Sequence, residues 1–387
     1  MLLKTDLLYT ALGKPIKNGM LRLAKDGTVL EVGTQLHAEE ANVKYLPGAL
    51  CPGFVNTHCH LELSHLKGKI NSGEGLIAFI KGVQNERKAE EEEIQNALAQ
   101  ADQAMWKAGI VAVGDISNGT STFKQKQSSP ITYHTFVELF GFDPTQAESV
   151  WKRGKEIKFT AENMGLTASL VPHSPYSVSK ALFSLLKAEQ NNSPMCIHNQ
   201  ETAAENEFYQ SGTGGFKNML ESFGLSIDHF QGQKQNSLPA YLPYLPNEKP
   251  LLLVHNTYTS KADIEEAEKL HPNLYWCFCP RANDYIESRL PQMELFLEQG
   301  IKCTLGTDSL ASNYSLSIWE EMKLIKKHYP QISLEALMEW GCKNGAEFLG
   351  MKDLGGFEVG KKPGVNWLKG LNGDGSLEGV EVQKVIF

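Results

Sequence analysis

The chain has 387 residues, 41% hydrophobic and 21% charged, the balance of a globular protein able to bury a sizeable core. A net charge of −8 argues against a nucleic-acid partner, while a small anionic substrate can still be held by one or two local arginines. No run approaches the ~18 apolar residues of a membrane span, and no secretory h-region is visible. Seven cysteines in such a chain read as reduced thiols, so the expected setting is the cytoplasm, with no membrane partner.

Residues 1 to 50 carry short β signals at Asp6–Tyr9, Met20–Leu23 and Val29–Val32, with turns at Gly13, Asn18-Gly19 and Asp26-Gly27. Such a segment is too small to be stable unaided. Strand-like stretches at Phe357–Gly360, Val365–Leu368 and Val380–Phe387 offer it partners. Both chain ends are therefore expected to build one small β-sandwich domain, residues 1–50 plus 355–387.

Between residues 51 and 354, apolar strands alternate with amphipathic helices. After the opening Leu50–His60 come Val111–Asp115, Thr135–Leu139, Leu166–Val171, Met195–His198, Leu251–His255, Tyr275–Phe278 and Cys303–Gly306, eight in all. Near-continuous apolar runs are what a parallel sheet covered on both faces requires. One helix is expected over Glu86–Lys107, with Ile94, Leu98, Ala101 and Met105 on one stripe, and another over Leu316–His328. Residues 205 to 250 are expected as a helix plus a loop over the mouth. The fold class is α/β: a (β/α)₈ TIM barrel with the small β-sandwich beside it, and its site lies where strands end.

The strand ends carry the chemistry. The first ends in His58-Cys-His60, whose i, i+2 spacing points both imidazoles the same way. His173, His198, His255 and Asp308 stand at the ends of the fourth, fifth, sixth and eighth strands. His58, His60, His198 and Asp308 would offer a divalent ion three neutral ligands and one anion, with an open position for water. A metal so placed lowers the pKa of water to about 7. Structural zinc prefers closed, cysteine-rich sites, which disfavours a purely structural ion. Glu201, three residues past His198, can take a proton from such a water and pass it to a leaving nitrogen, or can simply favour a helix N-terminus.

The strings Pro52-Gly-Phe-Val-Asn-Thr-His-Cys-His60, Ile197-His-Asn-Gln-Glu-Thr202, Val254-His-Asn256 and Leu305-Gly-Thr-Asp-Ser309 resemble the metal motifs of the amidohydrolase superfamily. The nearest branch holds the deaminases of purines and adenosine-like nucleosides and the triazine chlorohydrolases. Asn344-Gly-Ala-Glu-Phe-Leu-Gly350 fits as well, so the resemblance spans nearly the whole chain. It implies one zinc or iron ion on His58, His60, His198 and Asp308, with Glu201 as proton shuttle. It also implies that His255 orients the attacking water and that His173 contacts a substrate sugar. Binuclear members carry a bridging lysine after the fourth strand. Here Val171-Pro-His173 stands in its place, which favours a single metal. A homodimer is common among look-alikes.

Within the branch, Thr57-His-Cys-His-Leu-Glu-Leu-Ser64, Pro172-His-Ser-Pro-Tyr-Ser177 and Gly360-Lys-Lys-Pro-Gly364 are most similar to aminodeoxyfutalosine deaminases, enzymes of menaquinone biosynthesis. The resemblance therefore implies hydrolytic deamination of a purine nucleoside with release of ammonia. Guanine or adenosylhomocysteine/methylthioadenosine deamination, or hydrolysis of a triazine or cyclic amide, is the alternative within the superfamily. A barrel without catalysis, serving as a binding module, is the alternative outside it. Deaminases of methylthioadenosine carry a Met-Glu-Trp acid for the ribose hydroxyls, where this chain has Leu76-Ile-Ala-Phe79. Glu62 either takes that task or is an exposed loop carboxylate. Arg281 and Asn283 follow the seventh strand as mouth residues, and Arg281 either binds a substrate carboxylate or forms a surface ion pair. Cys277 and Cys279 read as buried small residues, and Glu138 as a paired core carboxylate.

Overall fold

A computed structural model describes residues 1–36, 43–189, 191–372 and 376–386. Eight parallel strands form its centre: β1 Phe54–Cys59, β2 Ile110–Ser117, β3 Thr132–Leu139, β4 Thr167–Pro172, β5 Met195–Asn199, β6 Leu251–His255, β7 Leu274–Phe278 and β8 Cys303–Leu305. They lie in two four-stranded sheets, in the orders β4-β3-β2-β1 and β5-β6-β7-β8. Backbone hydrogen bonds cross both seams. His198 N donates to His173 O at 2.9 Å, and Thr307 N to His58 O at 3.0 Å. Nearly every strand residue is buried, which explains why the strands read as unbroken apolar runs rather than alternating ones. No helix among the described residues is long and apolar enough to cross a membrane.

The expected opening strand is in fact two. Ala49–Pro52 pairs antiparallel with Val365–Lys369 near the C-terminus, and only Phe54–Cys59 joins the central sheets. Gly53 divides them because there is no room for a side chain. An added Cβ would lie 2.3 Å from Val111 Cγ1 and 2.6 Å from Pro363 O.

The two chain ends do meet. One sheet runs Glu381–Ile386, Val365–Lys369, Ala49–Pro52, Leu7–Leu8, Ile16–Lys17, and a second runs Val29–Gly33, Met20–Leu23, Leu2–Lys4, Val43–Tyr45. Leu3, Leu21 and Val29 from the second pack with Leu8, Leu50 and Val365 from the first. The expected strand at Phe357–Gly360 is absent. Phe357 is buried in that same cluster, but its chain turns at Val359-Gly360. The end of the expected final strand, Phe387, lies outside the described residues.

The helix expected over Glu86–Lys107 starts at Glu91, and a separate helix occupies Leu76–Glu86. Three glutamates in the first turn, Glu91 to Glu93, favour a start there through the helix dipole. Leu98, Ala101 and Met105 form its buried face as expected. The helix expected from Leu316 begins at Ile318 behind a Ser317 cap. Residues 205 to 250 hold more helix than expected, with Ala203–Ser211, Gly215–Ser222 and Ser237–Tyr241.

Beneath the mouth, Lys126 and Asp115 form a fully buried ion pair at 2.6 Å. Lys126 also donates to Ser117 and Thr135 hydroxyls, while Asp115 Oδ1 accepts Leu61 N at 2.8 Å. The pair thus pins the chain immediately after His60. Lys126→Met would leave a buried, unpaired carboxylate, and urea denaturation should show a loss of about 3–5 kcal/mol. Nearby on β3, His134 is buried against Ser169 Oγ at 2.9 Å. Burial, with Lys126 adding to it, pulls its pKa down to about 3. The unfolded chain therefore binds a proton here at a pH where the native protein does not, so this site's contribution is present above pH 6.5 and is lost as pH falls toward 3. Relative to a His134→Gln variant, the protein should lose about 2 kcal/mol between pH 7 and pH 5 in paired urea titrations.

Candidate metal centre and active site

β1 ends by turning His58 and His60 inward, and β5 and the segment after β8 bring His198 and Asp308 to meet them. His60 Nε2 lies 3.1 Å from His58 Nε2 and 3.2 Å from His198 Nε2. Asp308 Oδ1 lies 3.6 Å from His58 Nε2 and 3.4 Å from His60 Nε2. His198 Nδ1 donates to the His173 carbonyl at 2.7 Å, so its Nε2 carries a lone pair aimed at the cluster. Burial depresses all three imidazoles to a pKa of about 3, with Asp308 opposing the shift, so they are neutral near pH 7. Burial acts to raise Asp308, but the surrounding His58, His60 and His255 override it and hold the carboxyl well below the usual range. Ser312 Oγ donates to its second oxygen.

Converging lone pairs repel unless a cation joins them. A tetrahedron with metal–ligand bonds of about 2.0–2.1 Å has edges of about 3.3–3.4 Å, close to the separations here. The donor set therefore fits a divalent ion. Gly306 makes room for it, since a Cβ there would sit 2.9 Å from His58 Cβ and 2.9 Å from both Cys277 and Cys279 sulfurs. The two cysteines are buried, free, and part of this packing.

Glu201 and His255 flank the cluster. Glu201 Oε1 is 3.6 Å from His255 Nε2. Burial, helped by Asp308, raises Glu201 well above an ordinary carboxyl, which favours its protonated form. Burial lowers His255, opposed by Asp308 and Asn283. The backbone here is unusual: Gln200, His255, Asn256 and Asp308 all have positive φ, at 45°, 76°, 59° and 56°. Non-glycine residues in that region cost about 1–3 kcal/mol each and persist only where the surroundings over-determine them.

These side chains form the floor of a cavity of about 770 Å³. His173 lines it, with Nδ1 held by the Ser174 and Ser177 hydroxyls at 2.9 Å each and its ring stacked on Phe140 at 4.1 Å. Three expectations change. Glu62 is neither exposed nor free, because Arg87 Nη2 donates to one oxygen at 2.5 Å and Asn118 N to the other at 2.9 Å. Arg281 does not reach this cavity. It pairs with Glu320 at 3.3 Å and Asn313 at 3.1 Å, and lies over Tyr314. Asn283 is buried and donates to Thr257 Oγ1 rather than lining the mouth.

Glu138, on the third strand, could point into the barrel or be a paired core carboxylate. It does reach the cavity, with Oε2 accepting Asn118 Nδ2 at 2.9 Å and Oε1 lying 3.5 Å from His198 Nδ1. Burial raises it to about 8. Its position on a strand that alternates toward the sheet interior is the signal that marks it. Arg87 and Asn118 gave no such signal.

The Amidohydrolase family model matches residues 49–386. The chain belongs to the amidohydrolase family. Among curated relatives of this amidohydrolase, an adenosine deaminase from Helicobacter pylori is 28% identical over 320 residues, covering 81% of this chain and 77% of that protein. An aminodeoxyfutalosine deaminase from Deinococcus radiodurans is 25% identical over 370 residues, 90% of this chain and 85% of that protein. In three dimensions the amidohydrolase superposes on the crystal structure of Helicobacter pylori aminofutalosine deaminase in complex with methylthio-coformycin, with a TM-score of 0.84. Identity there is 22%, and all of both chains is covered.

If the four side chains hold one ion, Asp308→Asn and His198→Ala should each lower the bound metal from about one equivalent to a small fraction, measured by elemental analysis of the purified protein. Added zinc should raise the melting temperature of the metal-stripped parent, and by much less that of either variant.

Proposed function

We propose that this amidohydrolase is a hydrolytic deaminase of adenosine-like purine nucleosides, of the aminodeoxyfutalosine type, and that it releases ammonia. Its fold is read as a closed (β/α)₈ barrel over residues 51–354, with a small β-sandwich from residues 1–50 and 355–387. The seam hydrogen bonds and the apolar cluster shared by the two terminal sheets support that division.

One observation carries the functional reading: a carboxyl whose pKa is raised by burial, Glu201, stands 3.6 Å from His255 beside four converging metal-type ligands. A halide leaves as an anion without a proton donor, whereas an amino group on a ring leaves only when protonated, and a protonated carboxyl is the donor it needs. His58, His60, His198 and Asp308 would hold the ion, zinc by donor set, with iron as the alternative. A divalent ion there acidifies water and so supplies a nucleophile at neutral pH.

The residues then divide the work. Glu201 gives its proton to the ring nitrogen beside the amino-bearing carbon and takes up the one released as water adds to that carbon. His255, neutral because it is buried, orients the attacking oxygen. Glu201 then protonates the exocyclic nitrogen, the carbon–nitrogen bond breaks, ammonia departs, and the added hydroxyl returns its proton to Glu201, leaving the oxo-purine. His173, fixed by two serine hydroxyls and by Phe140, offers its other nitrogen toward a sugar. The apolar walls formed by Leu76, Phe79, Ile80, Met219 and Leu220 suit a nucleoside whose 5′ substituent is not hydroxyl alone.

Glu201→Gln should lower kcat about 10²- to 10⁴-fold while bound metal is retained. The assay is ammonia release from a panel of aminodeoxyfutalosine, methylthioadenosine, adenosylhomocysteine and guanine. Ammonia from none of the four by the metal-loaded parent would sink the deaminase reading.

A further inference from the structure

We propose that Gln84 and Arg87 form an anion subsite that binds a carboxylate carried on an apolar arm of the substrate. This rests on the nucleoside reading above and adds to it a charge requirement that the metal centre does not impose.

The helix Leu76–Glu86 and its cap residue Arg87 place Leu76, Phe79, Ile80, Val83, Gln84 and Arg87 on the cavity wall. The steps of three and four residues make this one helical face. It is apolar along its length and polar only at its C-terminal end. Among the described residues lining the cavity, Arg87 is the only lysine or arginine.

Its guanidinium is partly clamped. Nη2 donates to Glu62 Oε1 at 2.5 Å and to Asn118 Oδ1 at 3.0 Å. Glu62 is nearly inaccessible and is held in turn by Asn118 N, so the clamp is rigid. Nε and Nη1 make no hydrogen bond to the described residues, and the side chain remains 44% exposed. An arginine with one nitrogen anchored and the others facing a cavity has already given up the rotamer freedom that binding would otherwise cost. Gln84, exposed one turn earlier on the same wall, adds an amide donor.

The local charge selects among anions. Asp143, held ionised by the Thr145 hydroxyl and amide, lines the same cavity, so a phosphate dianion would meet more repulsion there than a singly charged carboxylate. Leu63, Phe140 and Val150, also on the wall, favour an aryl or alkyl spacer between that carboxylate and the nucleoside. Arg281, the arginine that the sequence offered for this role, is committed to Glu320 and Asn313 elsewhere.

The test compares two substrates that differ only in this charge: a 5′-substituted adenine nucleoside bearing a benzoate on its 5′ arm, and the methyl ester of the same compound. The metal-loaded parent should deaminate the acid with a kcat/KM about 10- to 100-fold above that of the ester, the range expected for a hydrogen bond to a charged group. In Arg87→Met that ratio should collapse toward one, chiefly through KM. Gln84→Leu, which leaves the Glu62–Asn118 clamp intact, should lower it about threefold and covers the case in which Arg87→Met does not fold. Equal use of acid and ester by the parent, or a ratio unmoved in both variants, would overturn the subsite. Release of ammonia from methylthioadenosine but from neither test compound would overturn it as well. Failure of every purine nucleoside, methylthioadenosine included, would instead count against the deaminase reading on which it stands.

Discussion

Everything at the mouth of this fold depends on three imidazole lone pairs being held close together where water cannot separate them. Three buried, neutral imidazoles with ring nitrogens 3.1–3.2 Å apart form an arrangement that a cation would complete. It is maintained by constraints acting from outside the cluster. The His173 carbonyl fixes the tautomer of His198, Thr307 N ties to His58 O across the seam, and Gly306 supplies the only side chain small enough to sit against His58. Desolvation keeps the rings neutral, so each stays a ligand rather than a cation.

The same logic continues one layer down. His60 lies just past the end of β1, where an isolated bridge between Cys59 and Asp308 and a long 3.4 Å bond from its amide to Asp308 O are the last of the pairing. The buried Lys126–Asp115 pair grips the next residue, Leu61, by its amide. A buried ion pair is a poor source of stability by comparison with apolar packing, but it is directional, and direction is what this turn needs. The positive φ values at Gln200, His255, Asn256 and Asp308 express the same trade. Strand ends are bent away from comfortable geometry so that side chains from different strands converge, and the packed strands beneath absorb the strain.

These constraints explain what could be read from the residues in order. Parallel strands bring their C-terminal ends to one rim, so His58, His60, His198, His255 and Asp308 were recognisable as one group without coordinates. Glu201 was legible because it follows a ligand by three residues on the same rim. Other features were decided by space rather than by pattern. The split of the opening strand turns on contacts of Gly53 with Val111 and Pro363, more than fifty residues away in each case. The interruption between Glu86 and Glu91 occurs in Arg-Lys-Ala-Glu, a run of good helix formers that contains neither glycine nor proline. Phe357 kept its apolar role but lost its strand, because a buried side chain does not require a paired backbone.

The charged residues show the limit most clearly. Glu62 and Arg281 had the right chemistry at the right strand ends, yet each found a nearer partner: Glu62 in Arg87 and Asn118, Arg281 in Glu320 and Asn313. Long charged side chains choose among several neighbours within reach, and differences of about 1 kcal/mol decide the choice. Metal ligands have no such freedom, because a misplaced imidazole loses the ion altogether. The pairing of Glu62 is itself informative. By drawing in Arg87 it places a cation on the wall of a cavity whose other charged groups are carboxyls, so a residue that reads as a candidate for the substrate's hydroxyls instead fixes the group that answers a negative charge on the substrate.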